Sequence, residues 1–250
     1  MRQLLFPLVA VFALAPVARA DDAADAKAVV EKAIKARGDK PGDTPLAQTW
    51  KEKGKFTGGG FALEYTSDWA FQGPDKYRFA MVGEFGDAKI AITAVVNGEK
   101  AWQIDGTKTE EITGEKLEQT RNEVYQLWVT SLTPLLTDKG FTLKNAKSKK
   151  VDGSERTAAV EVTRDKRPAV TLYFDKETGL LVKTEVTVKD EFQKWKEVPE
   201  EAFFSDYKDK DGRKVFTKMR IVRDGKPLIE STLSDHRTAE KLDAKLFEKP

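Results

Sequence analysis

The stretch that decides the fold is "AITAVVNGEKAWQIDGTKTEEI", Ala91 to Ile112. Two runs rich in aliphatic and aromatic residues flank Asn97-Gly98, and Asp105-Gly106 closes the second run. Asn and Gly both accept positive φ, so Asn97-Gly98 predicts a tight hairpin and Asp105-Gly106 the next turn. The segment holds no histidine, cysteine or serine. Its pattern is that of a strand meander, and it carries no catalytic constellation.

The period of two extends in both directions. Upstream, Phe61, Leu63 and Tyr65 share one face, as do Tyr77, Phe79 and Met81, and then Ile90 and Ile92. Downstream, Trp102 and Ile104 continue the series. After residue 140 a hairpin is expected about Asp152-Gly153, another about Glu177-Thr178-Gly179, and three further strands turning at Asp211-Gly212 and Asp224-Gly225. The spacing predicts one antiparallel meander of about ten strands, long enough to curl. No linker divides it, and the strands do not repeat well enough for a propeller or solenoid.

Two helices interrupt this pattern. Residues 23–37 carry Ala26, Val29, Val30, Ala33 and Ile34 at helical spacing, with Gly38 and Pro41 beyond. Residues 114–139 follow Thr113 as N-cap and bear a stripe of Leu117, Val124, Leu127, Trp128, Leu132, Leu135 and Leu136. Pro134 should kink or break this second helix.

The chain opens with Arg2, an apolar run from Leu4 to Val17, and the small-x-small ending Ala18-Arg19-Ala20. That reads as a secretory signal peptide over residues 1–20, leaving residues 21–250 as a single domain. The apolar run is short for a membrane span, which needs about 20 residues. Removing Arg2 and Arg19 leaves 41 basic side chains against 41 acidic ones. A balanced charge argues against nucleic acid as partner. The absence of cysteine excludes disulfides, thiolate metal sites and a cysteine nucleophile.

Candidate chemistry is thin. His236 is the only histidine, and its neighbours Ser234 and Asp235 do not form a ready triad on a strand. A solvated loop is its expected setting. The run "DYKDKDGRKVFTK" puts Tyr207 and Lys218 where a calcium loop needs oxygen ligands, so it reads as a charged hairpin. Gly58, Gly59 and Gly60 lack the helix a phosphate cradle requires and read as a bulge or sharp bend. Glu110-Glu111 and Glu200-Glu201 are the carboxylate pairs expected at random in a chain with 34% charged residues. No cofactor and no metal are expected. The remaining feature is aromatic: Trp69, Phe71, Tyr77, Phe79, Trp102 and Phe174 fall in strands, and Trp128 in a helix that could close a curved sheet.

In that order of parts the chain resembles the LolA/LolB superfamily of lipoprotein carriers. The likeness rests on "GPDKYRF", "VVNGEKAW", the helix inserted next, "YFDKETGLLVKTEV" and the ending "KLDAKLFEKP". It covers roughly residues 55–250. It implies a mainly β fold with helices (α+β), an unclosed antiparallel half-barrel with a helical lid around an apolar cavity. It implies a soluble, monomeric periplasmic carrier that is no enzyme and holds an acylated lipoprotein or other lipid non-covalently. Membrane-bound donor and acceptor proteins would be its further partners. The family carrier's arginine before the strand-opening proline, linked to ligand transfer, is replaced here by Gly73 ahead of Pro74. The expected cavity lining is Phe61, Leu63, Tyr65, Tyr77, Phe79, Met81, Ile90, Ile92, Trp102 and Ile104, under Leu127 and Trp128. A lipid or lipoprotein sensor, or a protein-interaction module of the same fold, is the alternative. An exported hydrolase using His236 or a carboxylate pair ranks last.

Overall fold

The computed structural model describes residues 18–43, 47–86, 88–152, 154 and 156–250. Residues 1–17 of the expected signal peptide, and Gly153 of one expected turn, lie outside them. Helix α1 (Ala18–Arg37) precedes strands β1 (Ala47–Gly58), β2 (Phe61–Gln72), β3 (Lys76–Phe85), β4 (Ala88–Asn97), β5 (Lys100–Asp105) and β6 (Lys108–Glu111). Helices α2 (Gly114–Thr130) and α3 (Pro134–Thr137) come next. Then follow β7 (Thr142–Ala146), β8 (Thr157–Thr163), β9 (Val170–Asp175), β10 (Leu181–Asp190), β11 (Lys196–Lys210), β12 (Arg213–Arg223) and β13 (Lys226–Ala239).

All strands form one antiparallel sheet in the order β6-β5-β4-β3-β2-β1-β13-β12-β11-β10-β9-β8-β7. Among the described residues it has thirteen strands, where about ten were expected, and β6 and β7 are its edges. The uncounted strands are the polar ones. Strand β1 puts Lys51, Lys53 and Lys55 outward but also Glu52 inward, which masks its alternation. Strand β6 is Lys-Thr-Glu-Glu throughout.

Turn chemistry sets the register. Asp211-Gly212 and Asp224-Gly225 are two-residue loops with positive φ at both positions, as type I′ turns demand. Gly59 and Gly60 form another such loop between Gly58 and Phe61, so this glycine run is a hairpin turn and not a bulge. At the deciding stretch Asn97 pairs with Lys100, which places the loop at Gly98-Glu99.

The helices lie on one face of the sheet, called inner below. Helix α1 buries Ala26, Val30, Ala33 and Ile34 among Val160, Val162, Leu172 and Phe174 of β8 and β9. Its end is closed by Gly38 and Asp39, whose amides bond back to Lys35 and Ile34. The expected second helix is divided: α2 ends at Thr130, Leu132 takes a left-handed φ of 65°, and Pro134 starts α3. Helix α2 sets Val124, Leu127 and Trp128 against Phe71, Tyr77, Val96 and Ala101. On the outer face a short 3-10 turn (Ala244–Phe247) drives Phe247 against Ala70, Val95 and Trp102. Burying a phenylalanine contributes about 1.5–3 kcal/mol, enough to pin the C-terminal segment there.

Candidate functional site

Residues paired side by side in adjacent strands share a face. Tracing pairs from Phe71 through Tyr77, Val96 and Ala101 defines one inner rank, and Trp69, Phe79, Ala94 and Gln103 define the next. Ser67, Met81 and Ile92 follow, then Tyr65 and Ile90. Leu63 and Phe61 continue the inner face of β2 toward the β1–β2 turn. Phe61, Leu63, Tyr65, Tyr77, Phe79, Met81, Ile90 and Ile92 therefore lie on the helix side of the sheet, and Leu127 and Trp128 of α2 pack against part of it.

Trp102 and Ile104 do not join them. Trp102 pairs with Val95 and Ile104 with Thr93, both outward positions. A two-residue hairpin loop inverts numerical parity, so even-numbered inner positions of β4 meet odd-numbered ones of β5. Trp102 instead packs on the outer face with Leu242, Leu246 and Phe247.

The inner face is unevenly filled. Under α2, Phe71, Tyr77, Val96 and Ala101 are buried. Farther along the same strands Phe61, Phe79, Met81, Ile90 and Ile92 are only half-buried. An apolar side chain that faces the helix side yet still meets solvent borders space the chain leaves unfilled. This solvent-facing part of the inner face, called the hollow below, runs from the edge of α2 toward the β1–β2 and β3–β4 turns. There Phe56, Phe61, Phe85 and Phe192 contact one another with ring centroids 5.5–6.3 Å apart. Phe85 and Phe192 are 50% and 43% exposed, so the rim of the hollow is aromatic.

A chain of rings crosses the floor. Phe79 lies 4.6 Å from Trp69, Trp69 stacks on Trp50 at 5.2 Å, and Trp50 lies 6.4 Å from His236. His236 then meets Phe216 at 6.3 Å, and Phe216 meets Phe204 at 4.7 Å. His236 is thus no loop residue. It sits in β13 beside Asp235, whose φ is 52°, and its Nε2 has no partner. Burial holds it below the usual imidazole range, which favours its neutral form. No side-chain acid or hydroxyl bonds to it among the described residues, so a relay through it has no second member. The Glu200-Glu201 pair is split: Glu200 faces inward to Arg223, and Glu201 outward to Lys183. No cluster of metal-ligating side chains occurs among the described residues.

Two carboxyl groups on the helix side of the sheet had no signal in the sequence. Glu52, on the floor, is 2% exposed and accepts a 2.6 Å hydrogen bond from the Tyr65 hydroxyl. Its Oε2 has no partner. Burial raises its pKa above the usual carboxylate range, against the opposing pull of Tyr65, Ser231, Trp69 and Ser67. Glu123 projects from α2 into space walled by protein but reached by solvent. Burial pushes it up to about 7, with Glu200 and Glu191 adding to the effect and Gln119 and Arg223 opposing it.

Two cavities lie elsewhere. One, of about 530 Å³, is a groove on the outer face bordered by Lys53, Asp152, Phe203, Lys218, Arg220 and Glu230. The other, about 440 Å³, lies at the end of α1 among Arg37, Asp39, Gln48, Ser131 and Arg213. Both carry charged side chains, and the first is also bordered by Val182, Phe204 and Met219.

No protein-family model matches the chain, and no curated protein matches it. Solved structures do. A LolA superfamily protein from Nitrosomonas europaea is 13% identical, with a TM-score of 0.57 over 90% of this chain and 97% of that one. A DUF1329 family protein from Desulfovibrio piger is 17% identical, with a TM-score of 0.56 over 89% and 97%. A domain assigned to outer membrane lipoprotein sorting from Vibrio parahaemolyticus is 14% identical, with a TM-score of 0.56 over 91% and 98%. At such identities the likeness is one of fold: the chain has a LolA-like fold.

Proposed function

We propose that this chain is a periplasmic carrier that holds acyl chains of a lipoprotein or other lipidated ligand in the inner hollow, without covalent chemistry. The observation that supports it is the half-buried apolar rank Phe79, Met81, Ile90 and Ile92, which faces the helix side of the sheet and still meets solvent. Toward the β1–β2 and β3–β4 turns the opposite face of β2 and β3 carries Glu64, Thr66, Asp68 and Glu84 at the surface, whereas nearer the C-terminal segment it is apolar around Val95 and Phe247. Each methylene that enters such a lining contributes about 0.8 kcal/mol, before the cost of ordering the chain. A reversible carrier needs no more than that. The solved lipoprotein-sorting domain and LolA superfamily protein share the fold, which accords with this reading. No helix among the described residues is long and apolar enough to cross a membrane.

The test is native mass spectrometry of the protein purified from periplasm, paired with titration by N-phenyl-1-naphthylamine, whose emission rises in apolar surroundings. A co-purifying acylated species, and probe binding that the species displaces, support the carrier. A protein that arrives empty and leaves the probe dark refutes it.

A further inference from the structure

The groove of about 530 Å³ on the outer face takes no part in the carrier reading. One cross-strand rank runs through its lining. Ser205 of β11 pairs with Lys218 of β12, Lys218 with Thr232 of β13, and Thr232 with Lys53 of β1. Residues paired in this way share a face, so hydroxyl and ammonium alternate across four strands at about 4.8 Å per strand. All four residues border the groove. Lys53 and Lys218 have no ion-pair or hydrogen-bond partner among the described residues.

The neighbouring rank adds a third cation and an apolar floor. Phe203 of β11 pairs with Lys183 on one side and Arg220 on the other. The Arg220 guanidinium lies 4.0 Å from the centre of that ring, and the Lys183 ammonium 5.1 Å. Lys183 is neutralised by Glu185 and Glu201 and is nearly sealed from water, so it serves the packing of the ring. Arg220 reaches solvent, and its acid, Asp152 at 3.5 Å, is 93% exposed and binds it weakly. Val182 packs beside Phe203 in the same outer cluster. The other acid of the groove, Glu230, stands in register between Arg220 and Lys55, so two cations of its own rank share its charge. Lys53 and Lys218, one on each side of Thr232, are left uncompensated in a chain whose formal charges nearly cancel.

Two ammonium groups placed two strands apart repel one another and add nothing to the fold. Their stems are long and flexible enough to converge above the strand between them. A phosphate monoester carries about two negative charges near neutrality and three terminal oxygens, enough to accept from both lysines and from the Thr232 hydroxyl together. An apolar group joined to that phosphate would find Phe203 and Val182 in the same groove.

We propose that the outer groove binds a phosphate monoester borne on an apolar group, with Lys53, Lys218 and Thr232 holding the phosphate and Phe203, Val182 and Arg220 receiving the rest. The site lies on the face opposite the hollow and does not depend on the carrier reading.

The test is a titration of the ¹⁵N-labelled protein, purified from periplasm, followed by amide chemical shifts at neutral pH and low salt. The probes are phenyl phosphate, dihexanoyl phosphatidic acid, inorganic phosphate, and benzyl alcohol as the uncharged control. Phenyl phosphate should give saturable shifts at the amides of Ser205, Lys218 and Thr232, bind about tenfold more tightly than inorganic phosphate, and weaken as salt is added. Benzyl alcohol should leave those amides unmoved. Phosphatidic acid binding more tightly than phenyl phosphate supports the site with a lipid headgroup as its source; the reverse order supports it with a soluble ester. Lys53→Ala/Lys218→Ala should weaken phenyl phosphate about tenfold, and Lys89→Ala/Lys100→Ala, with the same loss of charge on β4 and β5, should leave it within about twofold. These lysines are exposed, so melting temperature should hold in both variants. Shifts that do not saturate, equal affinity for phosphate and its phenyl ester, or the same loss in both double variants would reduce the groove to diffuse attraction and overturn the proposal.

Discussion

Gly73 and Trp128 share one space. A Cβ on Gly73 would overlap Cε3 and Cζ3 of the Trp128 indole and come within 2.8 Å of Cδ2. The lid helix therefore sits on the β2–β3 turn only because that position has no side chain. The arginine that the LolA/LolB resemblance would place here does not fit while Trp128 stays where it is.

Gly73→Ala should accordingly cost about 1–3 kcal/mol, the range for forcing extra volume into a packed site. Thermal unfolding should show it as a fall of roughly 2–4 °C per kcal/mol for a domain of this size. Trp128→Leu makes room, so the double variant should lose less than the two single losses added together. Additive losses would mean that the two residues do not contact.

Phe79 and Trp102 make the sharpest comparison of faces. Phe79 is inward with its ring tilted against Trp69, whereas Trp102 is outward against Phe247. Phe79→Glu should abolish binding of an apolar probe in a chain that still folds. Trp102→Glu should leave binding within about twofold and lower the melting temperature by loosening the C-terminal segment. Loss of binding in a folded Trp102→Glu variant would reverse the assignment of faces.

Much of this was legible in the sequence, because period-two patterning survives wherever one face is apolar and the other wet. Strands β2, β3 and β4 have that contrast, and Asp211-Gly212 and Asp224-Gly225 carry their turn geometry in two letters. Strand β1 was obscured because Glu52 occupies an inward position that pattern reading reserves for apolar residues. Trp102 was put on the wrong face through parity, which a count across the two-residue loop corrects. Glu123 gave no signal at all: a glutamate in a helix reads as surface, which it is, and only the sheet facing α2 adds the crowding that raises its carboxyl. The packing of Phe247 depends on a contact far along the chain that no local pattern encodes.

The end of α1 is held by a mostly buried ionic triad. Asp39 accepts from Arg37 at 2.6 Å and from Arg213 at 2.7 and 3.1 Å, and Arg37 also donates to the Ser131 carbonyl at the end of α2. Burial alone would raise the Asp39 pKa, but the two arginines overcome it and hold the group below its ordinary value of 3.8. Stability from this group is present above that value and is lost as pH falls through the lower, folded one. Asp39→Ala leaves two guanidinium groups opposed and should cost about 3 kcal/mol at neutral pH. Chemical denaturation at pH 7 measures it, and a loss below about 1 kcal/mol would make the triad a solvated one.

Glu123 should make the protein less stable as pH rises across neutrality. The unfolded carboxyl titrates near 4.5, and burial pushes the folded one up to about 7. Between those values the folded chain binds the proton more tightly, so each step up in pH favours unfolding until the folded group has ionised. The facing charges are Glu200 on β11 and Glu191 beyond β10, which strengthen the effect, and Arg223 on β12, which weakens it. Tyr77 on β3 stays protonated throughout this window. Glu123→Gln removes the ionisation while keeping the shape, so its stability should change less from pH 5 to pH 8 than that of the parent chain. Denaturant midpoints at the two pH values decide it. Parallel slopes in the two proteins would place the carboxyl of Glu123 in open water, and the hollow beneath α2 would then be no enclosure for a ligand.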